Sequence, residues 1–556
     1  MDIFGTTVTV IQEVYNVTMF IRGLVDDIKA MEAVKKEIQD KLEHELFFLL
    51  AFKDLFFDKD DAPMRSDRIH GYLKRDVNII LMSLKRTLAE YETVAAKHGL
   101  LSQDVSPNLE NQVQISSSFN TRVKTKVKDI KRTLDWALFD KEKILKTLAV
   151  YSEWTGRLQQ TMSLMLLVLA SFGRFPLQDS EKSGRAKEIG LADVVKRQRL
   201  GKSNPPDEFG VLRGHIVEGS EVLYGSSTKV AKYEDEWCRI GEVLVEYRKY
   251  SSELVRASQF KLPDLEQLKV PVRSLAWLLH EASFTESQDG NPLSGQLAIY
   301  TFQCLGYIDQ PENQRTILLY QLPKSTTPQA TNKIITLHDW ISVTELGGDP
   351  GTVLPKPSLG SRFFLAYALC LTVLNIHSSG WVHKNIWSHG IVMFPSSRPS
   401  NTASRNFIPY LTGWDSSRLI AAGTDLVADT KVEPNYYRHP IRQGYPQSPF
   451  KVEHDIYALG VVLLEIGLWK TVRSIFKSQI DKATTQGKLP PPELIKGELL
   501  EQARDGLPSE MGDLFAKAVE RCLTSSFEVG DEAETVGITT SFREHVLDTV
   551  TQGLKL

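Results

Sequence analysis

Cysteine is scarce in this chain of 556 residues: four in all (Cys238, Cys304, Cys370 and Cys522), widely scattered, with no CxxC pair and no histidine at ligand spacing. That argues against a disulfide framework or a zinc module and for reduced thiols in an intracellular protein. Charge of one sign is also lacking. A net charge of −3 gives no global field to attract nucleic acid or an acidic surface. No run reaches the roughly 18 apolar residues of a transmembrane helix; the longest, Met162–Phe172, is about half a span. The opening Met-Asp lacks the basic region of a secretory signal. Proline is rare over the first third of the chain, where Pro63, Pro107 and Pro176 each fall at an expected connection. A soluble, intracellular chain is the expectation, with two to four units at roughly 150 residues per domain.

What is present divides into two halves. Up to about Phe175, apolar residues recur at three and four spacing, as in Val8, Ile11, Val14, Tyr15 and then Ile38, Leu42, Leu46, Leu49. This pattern predicts helices near 4–29, 30–57, 67–97, 117–135 and 140–172, packed as a bundle with a shared core. Residues 178–208 are charged, contain Gly and Ser, and close on Pro205-Pro206, which reads as a linker. Its basic run Lys196–Lys202 reads as solvated. From Phe209 the signals turn to strands: Val211-Leu-Arg, Glu221-Val-Leu-Tyr, Val243–Arg248, Ile299–Tyr307 and Thr316–Gln321, with a helix over 264–283. Helices then dominate, at 337–342, 359–378, 455–468, 513–522 and 540–547. The fold class expected is multidomain: an all-α bundle at 1–177, a linker at 178–208, and an α+β, two-lobed unit at 209–556.

The stretch Gly380-Trp-Val-His-Lys-Asn, after the apolar run Leu369–His377, resembles the protein-kinase catalytic loop. Asp455-Ile-Tyr-Ala-Leu-Gly460 is similar to the kinase segment whose Asp ties down that loop. Tyr437-Arg-His-Pro440 stands near the kinase Ala-Pro-Glu position, and Arg521-Cys-Leu523 matches the late Arg that steadies that segment in the same fold. Phosphoryl transfer needs a carboxylate base, an Asn and an Asp to hold magnesium, and a cation on the phosphates. Carried over residue by residue, the base position is Asn385, the metal-binding Asn position is Gly390, and the metal-binding Asp position is Gly413, with Asp415 two residues late. A two-residue slip in that alignment would restore Asp415 as a ligand. Arg248 (or Lys249) takes the lysine position, and no GxGxxG precedes it. His383 reads as a packing residue of the loop, and Asp455 and Arg521 as structural. The resemblance therefore implies a degenerate, pseudokinase domain with no catalytic residue assigned, no metal site, and ATP as the only candidate cofactor, through Arg248 and Asp415.

The run Trp136-Ala-Leu-Phe-Asp-Lys-Glu-Lys143, continuing to Ser152-Glu-Trp-Thr-Gly-Arg-Leu158, resembles the fungal HeLo-type domain of prion-inhibition and heterokaryon-incompatibility proteins, which is often joined to a kinase-like domain. This resemblance implies a cell-death or non-self-recognition effector whose first helix perturbs membranes after self-association or contact with a protein partner. It implies a cytoplasmic protein, membrane-associated through lipid when activated, with no nucleic acid involved. The first helix is unusually apolar, interrupted mainly by Glu13 and Arg22. A helix of that kind also suits the centre of its own bundle, and the two roles are compatible. Two alternatives stand beside this one: an atypical ATP-binding Ser/Thr protein kinase, and a scaffold or adaptor without membrane activity.

Overall fold

In the computed structural model the chain forms two compact units, Met1–Lys196 and Arg197–Leu556, divided within the expected linker. The structure describes residues 3–25, 28, 31–57, 64, 71–100, 140–171, 209–222, 228–237, 239–284, 298–323, 335–347, 355–395, 407–420, 422–423, 426, 428–429, 431–486, 490–527 and 534–555. The expected helix at 117–135, the linker 178–208 and the first part of the Trp136–Lys143 run lie outside the described residues.

The first unit is helical: α1 (Ile3–Leu24), α2 (Glu32–Phe56), α3 (Gly71–Thr87), α4 (Ala89–Lys97) and α5 (Lys141–Ser171). In α1 the residues Val10, Ile11, Val14, Tyr15, Val17, Met19, Phe20, Ile21 and Leu24 are all buried, so apolar groups point inward almost all round its axis. A helix of that kind belongs at the centre, and α2, α3 and α4 pack against it. In α3, by contrast, only the stripe Leu73, Val77, Ile80, Leu81 and Leu84 is buried. The charges on the rim of α1 pair with other helices, Glu13 with Lys85 at 2.7 Å and Arg22 with Glu43.

One polar layer crosses this core. The Thr18 hydroxyl lies 3.4 Å from the Tyr151 hydroxyl, and Ser152 Oγ donates to Glu45 Oε1 at 2.6 Å. Glu45 is buried, and burial raises its carboxyl above the usual range.

The second unit starts with a five-stranded antiparallel sheet in the order β1-β2-β3-β5-β4, formed by β1 (Gly214–Val222), β2 (Thr228–Asp235), β3 (Ile240–Lys249), β4 (Cys304–Gln310) and β5 (Arg315–Gln321). Alternation along β3 sends Val243 and Val245 to a small apolar cluster with Ile317 and Leu319. Leu244 faces the opposite way, into the main core. Helices α6 (Ser252–Phe260) and α7 (Leu265–Glu281) follow β3, and α7 packs on β4. The open edge of β4 is covered by 210–212, through Leu212 N–H to Tyr307 O at 2.9 Å and Tyr307 N–H to Gly210 O at 2.7 Å. Val211 thus forms an isolated bridge where a strand is expected.

The larger part is helical. After β6 (Ile335–Thr336), α8 (Leu337–Leu346) is started by a capping box between Thr336 and Asp339. Helix α9 (Leu359–Ser378) is the one described helix long and apolar enough to cross a membrane, although it carries Arg362, Asn375 and His377. Most of it is buried within the unit, as in a core helix. It delivers the chain to β7 (Trp381–Val382), to the loop 383–390 and to the hairpin of β8 (Ile391–Pro395) and β9 (Phe407–Leu411). Strand β10 (Arg418–Leu419) pairs with β7, and α10 (Val432–Tyr437) leads to α11 (Val452–Leu468), buried over almost its whole length.

Because the folded carboxyl of Glu45 titrates above its unfolded value, its contribution is complete below the unfolded pKa and is lost as pH rises through the folded one. Glu45→Gln is expected to raise the stability of the bundle at pH 8 and to flatten its fall between pH 5 and 8. Urea denaturation of the two proteins across that range, followed by a probe in the first unit, measures this.

Candidate ligand cleft

The loop between β7 and β8 is held from beneath by one carboxylate. Asp455, buried in the first turn of α11, accepts from His383 N–H through Oδ2 at 2.7 Å and from Lys384 N–H through Oδ1 at 2.8 Å. His377 Nε2 lies 3.2 Å from the same Oδ2. Burial opposes ionisation of Asp455, but these hydrogen bonds outweigh it and keep the carboxyl below the usual Asp range. The two N–H bonds fix Lys384 at φ 73°, a left-handed conformation that a lysine rarely adopts.

This backbone presents Asn385 toward Gly413. At φ 88°, Gly413 lies so close that an added Cβ would meet Asn385 Nδ2 at 2.9 Å. The neutral amide and the bare glycine therefore fill each other's space. Gly390 is enclosed too: its carbonyl accepts from Thr412 N–H at 2.8 Å and from Thr412 Oγ1 at 2.9 Å, and a Cβ would crowd the Trp387 ring at 3.2 Å. Neither glycine position has room for a metal-binding side chain without a shift of its neighbours.

The residue that reaches this turn from the sheet is Glu246, which sequence reading passed over in favour of Arg248. Glu246 is fully buried and accepts four hydrogen bonds. Its Oε1 takes Gly413 N–H at 2.7 Å and Thr228 Oγ1 at 3.0 Å; its Oε2 takes Trp414 N–H at 2.8 Å and the Tyr320 hydroxyl at 3.0 Å. Burial, with the charge of Asp415, pushes this carboxyl up to about 7, while the donors favour the ionised form. The signal for it in the sequence is an acidic residue inside the apolar strand run Val243-Leu-Val-Glu-Tyr.

Arg248, two residues further along β3, donates to the Trp414 carbonyl at 3.2 Å and feels the charge of Asp415. The structure thus brings Arg248 and Asp415 together. Both line a cleft of about 890 Å³ with Lys384, Asn385, Arg418 and Arg442. The crowding of cations shows in Lys384, whose amine is pushed down to about 8 by burial and by Arg418, Arg442 and Arg248. Arg521 is not part of this arrangement, and no hydrogen bond or ion pair takes its guanidinium to Tyr437–Pro440. That segment is steadied instead by the Tyr437 hydroxyl on Glu465 at 2.8 Å and by Arg438 on Asp429 at 2.6 Å.

Three imidazoles near the cleft, two of them buried and His439 half-buried, are wired alike. His383 Nδ1 accepts Asn385 N–H at 3.3 Å, His439 Nδ1 accepts Ile441 N–H at 3.4 Å, and His454 Nδ1 accepts Lys451 N–H at 3.0 Å. A nitrogen that accepts a hydrogen bond must be unprotonated, and burial pushes these rings down to about 4, 4 and 3. His383 also packs edge-on against Trp414 at 4.6 Å, which suits a packing role. Each ring contributes stability that is complete above the unfolded histidine pKa and lost as pH falls below it. The second unit is therefore expected to lose stability steeply from pH 6.5 down to 4.5. His454→Gln should reduce that slope, as read from denaturation midpoints at successive pH values.

Comparison with known proteins adds one match: residues 309–556 fit a family model described as a domain of unknown function (DUF7580). No curated protein matches the chain.

Proposed function

We propose that the second unit is a non-catalytic, pseudokinase-like signalling domain that regulates the helical bundle as effector, in a cell-death or non-self-recognition response. The observation that carries the non-catalytic reading is the bonding of Glu246. Phosphoryl transfer requires a cation on the phosphates and carboxylate-held magnesium beside them. Here two strand residues reach the Gly413–Trp414 turn: Glu246 takes both of its backbone N–H groups, and Arg248, at the lysine position, donates to the Trp414 carbonyl. Asn385 cannot act as a base, and Gly390 and Gly413 offer no ligand atoms.

The effector reading rests on the resemblance of the first unit and on the character of α1. That helix is apolar on nearly every side and is buried at rest, as a helix that later enters lipid must be. Its few ion pairs, Glu13 with Lys85 and Arg22 with Glu43, lie on the rim. In this reading activation releases α1, self-association of bundles follows, and the released helix enters the membrane from the cytoplasm.

Thermal melts of the full chain with ATP, with and without magnesium, are expected to show no shift, and radiolabelled ATP no transfer. A magnesium-dependent shift with transfer, lost in Asp415→Ala, would establish the atypical-kinase reading instead. For the effector part, dye release from anionic vesicles should appear with the oligomerised chain and disappear in a variant with Val10 and Val14 changed to Asp. Oligomers that leave vesicles intact would point to a scaffold.

A further inference from the structure

On the side of the loop away from Glu246, three distant parts of the chain bring metal-ligating groups together. His338 stands on the first turn of α8, His389 in the short 3-10 turn Ser388–Gly390, and Glu433 on the first turn of α10. One ligand atom from each lies within 4.8 Å of the others, and His389 Nε2 is 3.9 Å from Glu433 Oε1. His338 and His389 are 6% and 2% exposed. Three polar atoms here are buried and have no hydrogen-bond partner: His338 Nδ1, His389 Nδ1 and Glu433 Oε1. Unpaired buried polar atoms are costly, and their concentration on these three side chains points to a ligand.

We propose that His338, His389 and Glu433 form a binding site for a divalent transition-metal ion of the zinc class. Two imidazoles and a carboxylate are a donor set that suits zinc, with a fourth position left for water or a donor from a partner. Zinc with bonds of about 2.0–2.1 Å places tetrahedral ligand atoms roughly 3.3–3.5 Å apart, so this triangle must contract on binding. The required movement is visible in the rings. His389 is sandwiched between Trp387, at 4.4 Å, and His338, at 3.6 Å and nearly parallel. Parallel rings cannot aim both lone pairs at one ion, so one must turn. His389 is stacked between both rings, whereas His338 stacks on one face and its Nε2 lies 3.2 Å from Ser342 Oγ. Turning His338 toward Glu433 closes the set. The bound ion would then tie α8, the loop and α10 to one another, and so set the position of the Tyr437–Pro440 segment that borders the cleft. The groups lie far apart in sequence and follow no ligand spacing, which is why no metal site was expected from the sequence.

The test uses the full chain, stripped with chelator and titrated with zinc or cobalt(II). One equivalent of zinc is expected to be retained and to raise the melting temperature, and cobalt(II) should give the intense visible bands of a four-coordinate site. Glu433→Gln and His338→Phe keep side-chain volume and, for the second, ring stacking. Each should weaken zinc binding by more than about 100-fold, beyond the 10–100-fold typical of supporting partners, with the metal-free melt little changed. Retention of no zinc at micromolar concentration, or equal retention by wild type and both variants, would overturn the proposal. A six-coordinate cobalt spectrum would overturn it as well.

Discussion

The bond between the Glu246 carboxylate and the N–H groups of Gly413 and Trp414 joins the sheet of the second unit to the loop that borders its cleft. Hydrogen bonds to a charged group contribute about 1.5–3 kcal/mol each, and taking the carboxylate out of water opposes that gain. Four donors, two on each oxygen, act against that cost. Trp414 is placed by the same turn. Its ring is fully buried, its Nε1 donates to Thr301 Oγ1 at 2.9 Å, and its edge meets His383. Through His383 the connection runs to Asp455, and through Asp455 into the central helix α11. A single line of polar contacts therefore spans the unit from strand β3 to its core.

That line consists mostly of backbone groups. Asp455 holds N–H groups of His383 and Lys384, Glu246 holds those of Gly413 and Trp414, and Arg248 holds the Trp414 carbonyl. The base position holds the neutral Asn385 and two metal-ligand positions are glycines, while Arg248 and Asp415 keep their charges in the cleft. The cations Arg248, Lys384, Arg418 and Arg442 still give the cleft a local charge that the net charge of −3 does not reveal.

Much of this fold was legible where one periodicity persisted. The 3.6-residue pattern located α1, α2, α5, α7, α9 and α11 to within a few residues, because a long amphipathic or wholly apolar run has few alternatives, and it read α3 and α4 as one helix over 67–97. Strand β2 was not found: Thr228–Asp235 alternates lysines and acids with only Val230, Ala231 and Tyr233 between them, and only Thr228 and Ala231 are buried. Helix α6 was missed for a similar reason, with Leu254 and Ala257 alone turned inward. At the cleft, motif spacing pointed to His383, Asn385, Gly413 and Asp455, but it assigned the strand position to Arg248. Strand alternation tells inside from outside and says nothing of partners, so the pairing of Glu246 with a turn far along the chain had no signature. The same holds for Arg521, expected against Tyr437–Pro440, where Glu465 and Asp429 act instead.

Hydrogen exchange of individual amides in the full chain, with and without magnesium and ATP, tests the Glu246 lock most directly. The Gly413 and Trp414 amides should be among the slowest to exchange in the second unit, should be unaffected by nucleotide, and should become fast in Glu246→Ala. Rapid exchange in the wild type, or protection that appears only with magnesium and ATP, would contradict a lock by Glu246 and place a nucleotide at this turn.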